Sequence, residues 1–194
     1  NTDLDLCVGG RIYDAYCRPG HELRYKYGKQ IESKEVIDRA TKPYHAFMTN
    51  NFVIKRTVFE KHTFDMRLLD YGHEDTLMGI QLGDSHAKIL HFDNVIMAKE
   101  WDDTPTFLKK SEQALRNLLV IEAIVGGEKL KEYSMVFRVA RRFRSLGIDK
   151  WTIRAIKIFE PQIVKNLHSK DPSLNYFQLW KLAKLLELRS GESA

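Results

Sequence analysis

Two adjacent carboxylates, Glu74 and Asp75, stand at the head of a segment whose apolar residues, Leu77, Met78, Ile80 and Leu82, recur at helical intervals. Acids on the first turn of a helix point in different directions. One can take the proton of a hydroxyl while the other hydrogen-bonds a second hydroxyl. The same placement also follows from the unpaired N–H groups and macrodipole of any helix N-terminus, with no chemistry implied. Two further clusters lie upstream, Gly9-Gly10-Arg11-Ile12-Tyr13 and Thr49-Asn50-Asn51-Phe52, and Phe64-Asp65 and Tyr71-Gly72-His73 lead into the acidic pair. Gly9-Gly10 reads either as a plain turn or as a close backbone approach that a side chain would obstruct. Asn50 and Asn51 suit turn backbone as well as a ligand.

Other chemistry is less well supported. The seven histidines, at 21, 45, 62, 73, 86, 91 and 168, include no His-x-x-x-His pair of the kind that binds zinc on a helix. Cys7 and Cys17 have neither disulfide-scaffold density nor Cys-x-x-Cys spacing, which favours reduced thiols and a cytoplasmic setting. Asp3-Leu4-Asp5 has the letters of an acidic metal motif but merges into an apparent strand.

The elements that must position these residues change character along the chain. In the first half, Leu4 to Val8 reads as a strand closed by the two glycines, with Ile12-Tyr13 resuming it. Residues 18–42 read as a polar surface excursion with some helix. Phe52-Val53-Ile54 predicts a strand, Thr57 a cap for a short helix through His62, and Glu74 the start of a longer one. Ala87–Phe92 and Asn94–Met97 predict two short strands. In the second half the period is helical. Thr104 followed by Pro105 predicts an N-cap and a helix to Gly126-Gly127. A second helix fits Lys129–Leu146, and a third starts at Asp149 and is kinked or ended by Pro161 near Phe159. A fourth is capped by Ser173, with Tyr176, Phe177, Trp180 and Leu185 on its apolar side. Trp151, Trp180 and Phe177 are expected to pack between the terminal helices. The fold class is α/β, with one part over 1–103 and a basic α-helical extension over 104–194.

Taken together and in order, the clusters Gly9-Gly10-Arg11-Ile12-Tyr13, Thr49-Asn50-Asn51-Phe52 and Gly72-His73-Glu74-Asp75, followed by Asp93-Asn94, resemble the acceptor-side half of the family 2 glycosyltransferases. The resemblance covers roughly residues 6–120. It implies the C-terminal half of a GT-A, Rossmann-like domain, and inverting transfer of a sugar from a nucleotide-sugar donor to a glycan or lipid-linked acceptor. Asp75 would be the base, with Glu74 orienting the acceptor, and Gly9, Gly10, Arg11, Asn50, Asn51, Gly72 and His73 would line the substrate. It also implies a divalent metal, magnesium or manganese, with ligands mostly outside this chain. Family members often carry a metal- or phosphate-contacting histidine where Ala98 stands after Asp93-Asn94, so the resemblance does not carry that contact over to this segment. With no initiating Met and no signal-like start, the chain is read as the C-terminal part of a longer polypeptide.

With 194 residues, 43% hydrophobic and 29% charged, the composition excludes disorder as the main state, and no apolar run is long enough to span a bilayer. The net charge of +5 hides an asymmetry, net −3 over 1–104 and net +8 over 105–194. Arg138, Arg141, Arg142 and Arg144 concentrate that excess. They read as a solvated face or as attraction to an anionic membrane, which would make the protein peripheral at the inner face. Neither a nucleic-acid recognition motif nor a stacking platform accompanies the charge, so no nucleic-acid partner is expected. The alternative to an enzyme is a non-catalytic module that binds a glycan or a membrane surface.

Overall fold

The computed structural model describes residues 3–99 and 102–191. Over them the chain is mixed α/β, mostly helical, with one three-stranded sheet. It divides into two compact units: 3–16, 27–68 and 73–99 form the first, and 17–26, 69–72 and 102–191 the second.

In the first unit β1 (Leu6–Tyr13) is central, antiparallel to β2 (Phe52–Ile54) and parallel to β3 (Ile89–Ala98). Leu6 and Val8 alternate onto one face and pack with Phe47, Met78, Leu82 and Ala87. Met78 and Leu82 come from α4 (Glu74–Asp84), whose four-residue spacing puts both on its core side. Two sequence expectations are corrected here. Gly9-Gly10 does not close the first strand, because β1 runs through both glycines. The stretch after residue 87 is one strand rather than two, because a bulge absorbs the irregularity: Val8 pairs with His91 and Gly10 with Val95. The excursion over 28–41 folds as a π-helical turn (Gly28–Glu32) and α2 (Val36–Thr41). The short helix α3 (Arg56–Phe59) begins after Lys55, without a side-chain cap from Thr57. Asp3 and Asp5 are structural: Asp5 Oδ2 accepts from the Lys88 amide at 2.9 Å, and Asp3 pairs with the Lys88 ammonium at 2.5 Å.

The second unit contains α1 (Glu22–Tyr27) except its last residue, and five further helices, α5 (Thr104–Val125), α6 (Gly127–Tyr133), α7 (Met135–Ser145), α8 (Asp149–Leu167) and α9 (Leu174–Ser190). α9 is central, in contact with α5, α7 and α8, and buries Phe177, Trp180, Leu182, Ala183, Leu185 and Leu186. The Phe177 ring packs at 5.3 Å from Phe107 and 6.0 Å from Trp180.

The helix boundaries differ from the sequence reading for identifiable reasons. Asp103, not Thr104, caps α5 by accepting from the Thr106 amide at 2.9 Å. The segment expected as one helix over 129–146 breaks at Ser134, whose hydroxyl accepts from the Phe137 amide and starts α7 afresh. Pro161 does not end α8. It lies at an exposed position inside the helix, which continues to Leu167. Phe177 and Trp180 are buried as expected, but Trp151 is 70% exposed and Tyr176 is 41% exposed. No helix among the described residues is long and apolar enough to cross a membrane.

Candidate functional site

The first unit brings most of the sequence-derived residues onto β1 and its surroundings in two adjoining groups. The first surrounds the β1/β3 bulge. Asn51 bridges the separated strands, its Nδ2 donating to Gly10 O at 3.0 Å and to Asn94 O at 2.9 Å, while its backbone carbonyl accepts from the Gly9 amide at 2.9 Å. From α2, the buried Arg39 guanidinium enters the same opening. Nη1 donates to Val8 O (3.1 Å) and Gly9 O (2.9 Å), and Nη2 to Phe92 O (3.0 Å). Nη1 also meets His91 Nδ1 at 3.1 Å, and His91 Nε2 lies 2.9 Å from Pro43 O. A carbonyl only accepts, so Nε2 carries the proton and Nδ1 is the acceptor for Arg39. Burial and the Arg39 charge both push the His91 pKa down, which keeps the ring neutral beside the guanidinium.

One strand residue further on, Arg11 Nη1 donates to Glu32 Oε2 at 3.1 Å and to the Tyr13 hydroxyl at 3.3 Å, and the Tyr13 hydroxyl hydrogen-bonds the same Glu32 oxygen. Tyr13 fits because Gly28 has no side chain: a Cβ there would stand 2.2 Å from the phenol Cζ. Asp75 belongs to this second group. Desolvation, with the charges of Glu74 and Glu32 adding to it, raises the Asp75 carboxyl to about 6, against the lowering effect of hydrogen bonds from Thr76. A carboxylate with that affinity for protons is a better base than an ordinary aspartate and remains ionised at neutral pH.

The entry to α4 is sharply turned. Gly72 and His73 both have left-handed backbone, φ 98° and 68°, which is uncommon for histidine. His73 Nδ1 lies 3.0 Å from Thr76 Oγ1, so this histidine is part of the turn that presents Glu74 and Asp75. Gly72 belongs to the second unit, where the buried Asn117 amide on α5 donates to Asp70 O (2.8 Å) and Gly72 O (2.7 Å). Asn50 remains apart from these bonds: both of its amide atoms are buried without a partner, as are Arg11 Nε and Ser33 Oγ. Such atoms call for a water or ligand group.

Sequence reasoning missed Glu32 and Arg39 and gave Tyr13 no role of its own. Tyr13 was visible as the end of the glycine cluster, but Glu32 and Arg39 lie in the polar excursion, where nothing in their spacing separates them from solvated charges. No group of three or more His, Cys, Asp or Glu side chains among the described residues could hold a metal ion, so the magnesium or manganese implied by the resemblance has no ligand set here. Compared with protein-family models, curated proteins and solved structures, the chain matches none.

Proposed function

We propose that this chain carries the acceptor-binding side of an inverting, nucleotide-sugar-dependent glycosyltransferase of family 2, acting on a glycan or lipid-linked acceptor. The observation that carries the reading is Asp75, a desolvated carboxyl raised to about 6 and presented by the first turn of α4 beside Glu74 and Glu32. In the proposed step Asp75 takes the acceptor hydroxyl proton as that oxygen attacks the anomeric carbon and the nucleoside diphosphate departs from the opposite face. Glu74 holds a second acceptor hydroxyl. Arg11, fixed by Glu32, and the unpartnered Asn50 amide offer further donors to a polyhydroxylated ligand. The parallel β1/β3 pair with α4 packed on it is compatible with half of a GT-A domain. No step is assigned to a metal ion held by these residues.

The test is nucleoside diphosphate release by the complete gene product from a panel of nucleotide sugars, with and without glycan acceptors. The parent should release it, and Asp75→Asn should lower turnover by roughly 10²–10⁴-fold while nucleotide-sugar binding survives. Glycan binding with no release from any donor would instead favour a non-catalytic glycan-binding module.

A further inference from the structure

We propose that the outward face of α8 docks this protein onto an anionic lipid surface, an inference independent of the transfer chemistry. α8 has two distinct sides. Residues 149, 153, 156, 160, 163 and 167, alternately three and four apart, make one row; Ile153, Ile163 and Leu167 in it are buried, and α8 packs against α9. Both acids of α8, Asp149 and Glu160, fall in that inward row. Glu160 pairs with Lys184 of α9 at 3.3 Å, and Glu187 of α9 pairs with Lys157 of α8 at 3.1 Å.

The opposite side carries Trp151 and Ile158, each 70% exposed, with Ala155 and Gln162 exposed between and beyond them. Arg154 and Lys165 border this stripe, and the Arg154 guanidinium lies 5.6 Å from the centroid of the Trp151 ring. Neither cation pairs with a carboxylate among the described residues. The turn leading into α8 adds exposed Leu146 and Ile148. Large apolar side chains of this kind need a reason to face solvent in such number along one helix.

Charge decides the occupant. The outward face has no acid, its cations sit on long stems that can reach a headgroup while the stem lies in hydrocarbon, and an indole is suited to the boundary between the two. The face is the exposed side of a single helix, continuous from Trp151 along Ile158, and its combination of apolar stripe and cationic border matches a bilayer carrying negative lipid. The arginines of α7 are the weaker candidate, because Arg141 is paired with Glu128.

Sedimentation of the full chain with vesicles of phosphatidylcholine, alone and with an increasing share of phosphatidylglycerol, tests the proposal. Binding should rise with the anionic share and weaken with salt. Arg154→Glu/Lys165→Glu should lower the affinity by more than about tenfold, since each cation lost near such a surface is worth about fivefold. Trp151→Ser/Ile158→Ser, at exposed positions, should abolish binding with circular dichroism unchanged. Equal sedimentation of parent and Trp151→Ser/Ile158→Ser, or equal binding to neutral and anionic vesicles, would overturn the proposal. So would a dimer that dissociates in Trp151→Ser/Ile158→Ser with no vesicle binding by the parent, which would make the face a contact between copies of the chain.

Discussion

Asn51 occupies the space that a side chain at position 9 would need: a Cβ on Gly9 would stand 2.3 Å from Asn51 Nδ2 and 2.3 Å from Asn94 O. The glycine is required by this bridge across the bulge rather than by a left-handed backbone. Gly9→Ala must push the amide out, losing its bonds to Gly10 O and Asn94 O as well as straining the strand. The expected cost is about 2–4 kcal/mol in urea unfolding of the first unit, from overpacking and two lost hydrogen bonds. Gly10→Ala should cost less, because its nearest obstructions are a Val95 methyl at 3.0 Å and an Arg39 side-chain nitrogen at 3.1 Å. Equal stability of Gly9→Ala and the parent would show that the Asn51 bridge is not needed.

The buried Arg39 depends on a neutral His91. The His91 pKa is depressed in the fold, first by burial and also by Arg39, so the unfolded chain binds the proton more tightly. Its contribution to stability is fully present above the ordinary histidine value of 6.5 and is lost as pH falls below it. Protonation would set a second cation against the guanidinium and remove its acceptor. His91→Gln, which can still accept from Arg39 and donate to Pro43 O, should flatten this acid-side loss when the denaturant midpoint is followed from about pH 8 to about pH 5. A parent and variant with parallel pH profiles would refute the dependence.

The difference between Asn51 and Arg39 also marks what could be read from the sequence. The strand pattern of Leu6, Val8 and Phe52 and the helix starting at Glu74 were legible because apolar periodicity reports burial directly. The cluster at 49–52 was visible as a group, but its division of labour was not: Asn51 bridges backbone while the Asn50 amide is left without a partner. Arg39 and Glu32 were illegible, since a charged residue in a polar stretch is buried only by contacts distant in sequence, here Val8, Gly9, Phe92 and His91 for Arg39. Trp151 failed for the converse reason. Its helical spacing fits a core position, and only the packing of α8 on α9 decides which of two apolar sides is inside. Pro161 was expected to kink or end α8, and the helix runs past it to Leu167, because the contacts of Ile163 and Leu167 in the core hold the turn that follows the proline.

Asn117 links α5 to the chain that leads into α4. Its Nδ2 serves two carbonyls, those of Asp70 and Gly72, at 2.8 and 2.7 Å, and the residue is buried. Asn117→Ala would leave both acceptors without this donor in the second unit and should destabilise it by about 1–3 kcal/mol. Asn117→Asp should be at least as harmful, because it replaces the donor with a carboxylate facing two carbonyl oxygens. Thermal unfolding of the two variants checks this, and an Asp variant as stable as the parent would contradict the assigned orientation.

Glu32 and Asp75 give the proposed base a pH signature. Asp75 holds its proton more tightly in the fold, at about 6, than the ordinary value of 3.8, with desolvation as the largest cause. Folding therefore takes up a proton between those values. Stability from this group is greatest below 3.8 and is lost as pH rises through about 6. The ionised carboxyl then opposes folding at neutral pH by an amount on the order of 3 kcal/mol. Asp75→Asn should accordingly raise the denaturant midpoint at about pH 8, a gain that shrinks as pH falls through the same window, even as it removes turnover. In the active protein, kcat/KM should rise through an acid limb near pH 6 as Asp75 ionises. Glu32→Gln keeps an oxygen for Arg11 and Tyr13 but removes one of the two neighbouring negative charges, so the limb should move to lower pH. It should not return to the ordinary aspartate range, because desolvation and Glu74 remain. A limb that stays in place in Glu32→Gln while Asp75→Asn retains turnover would assign the ionisation to another group.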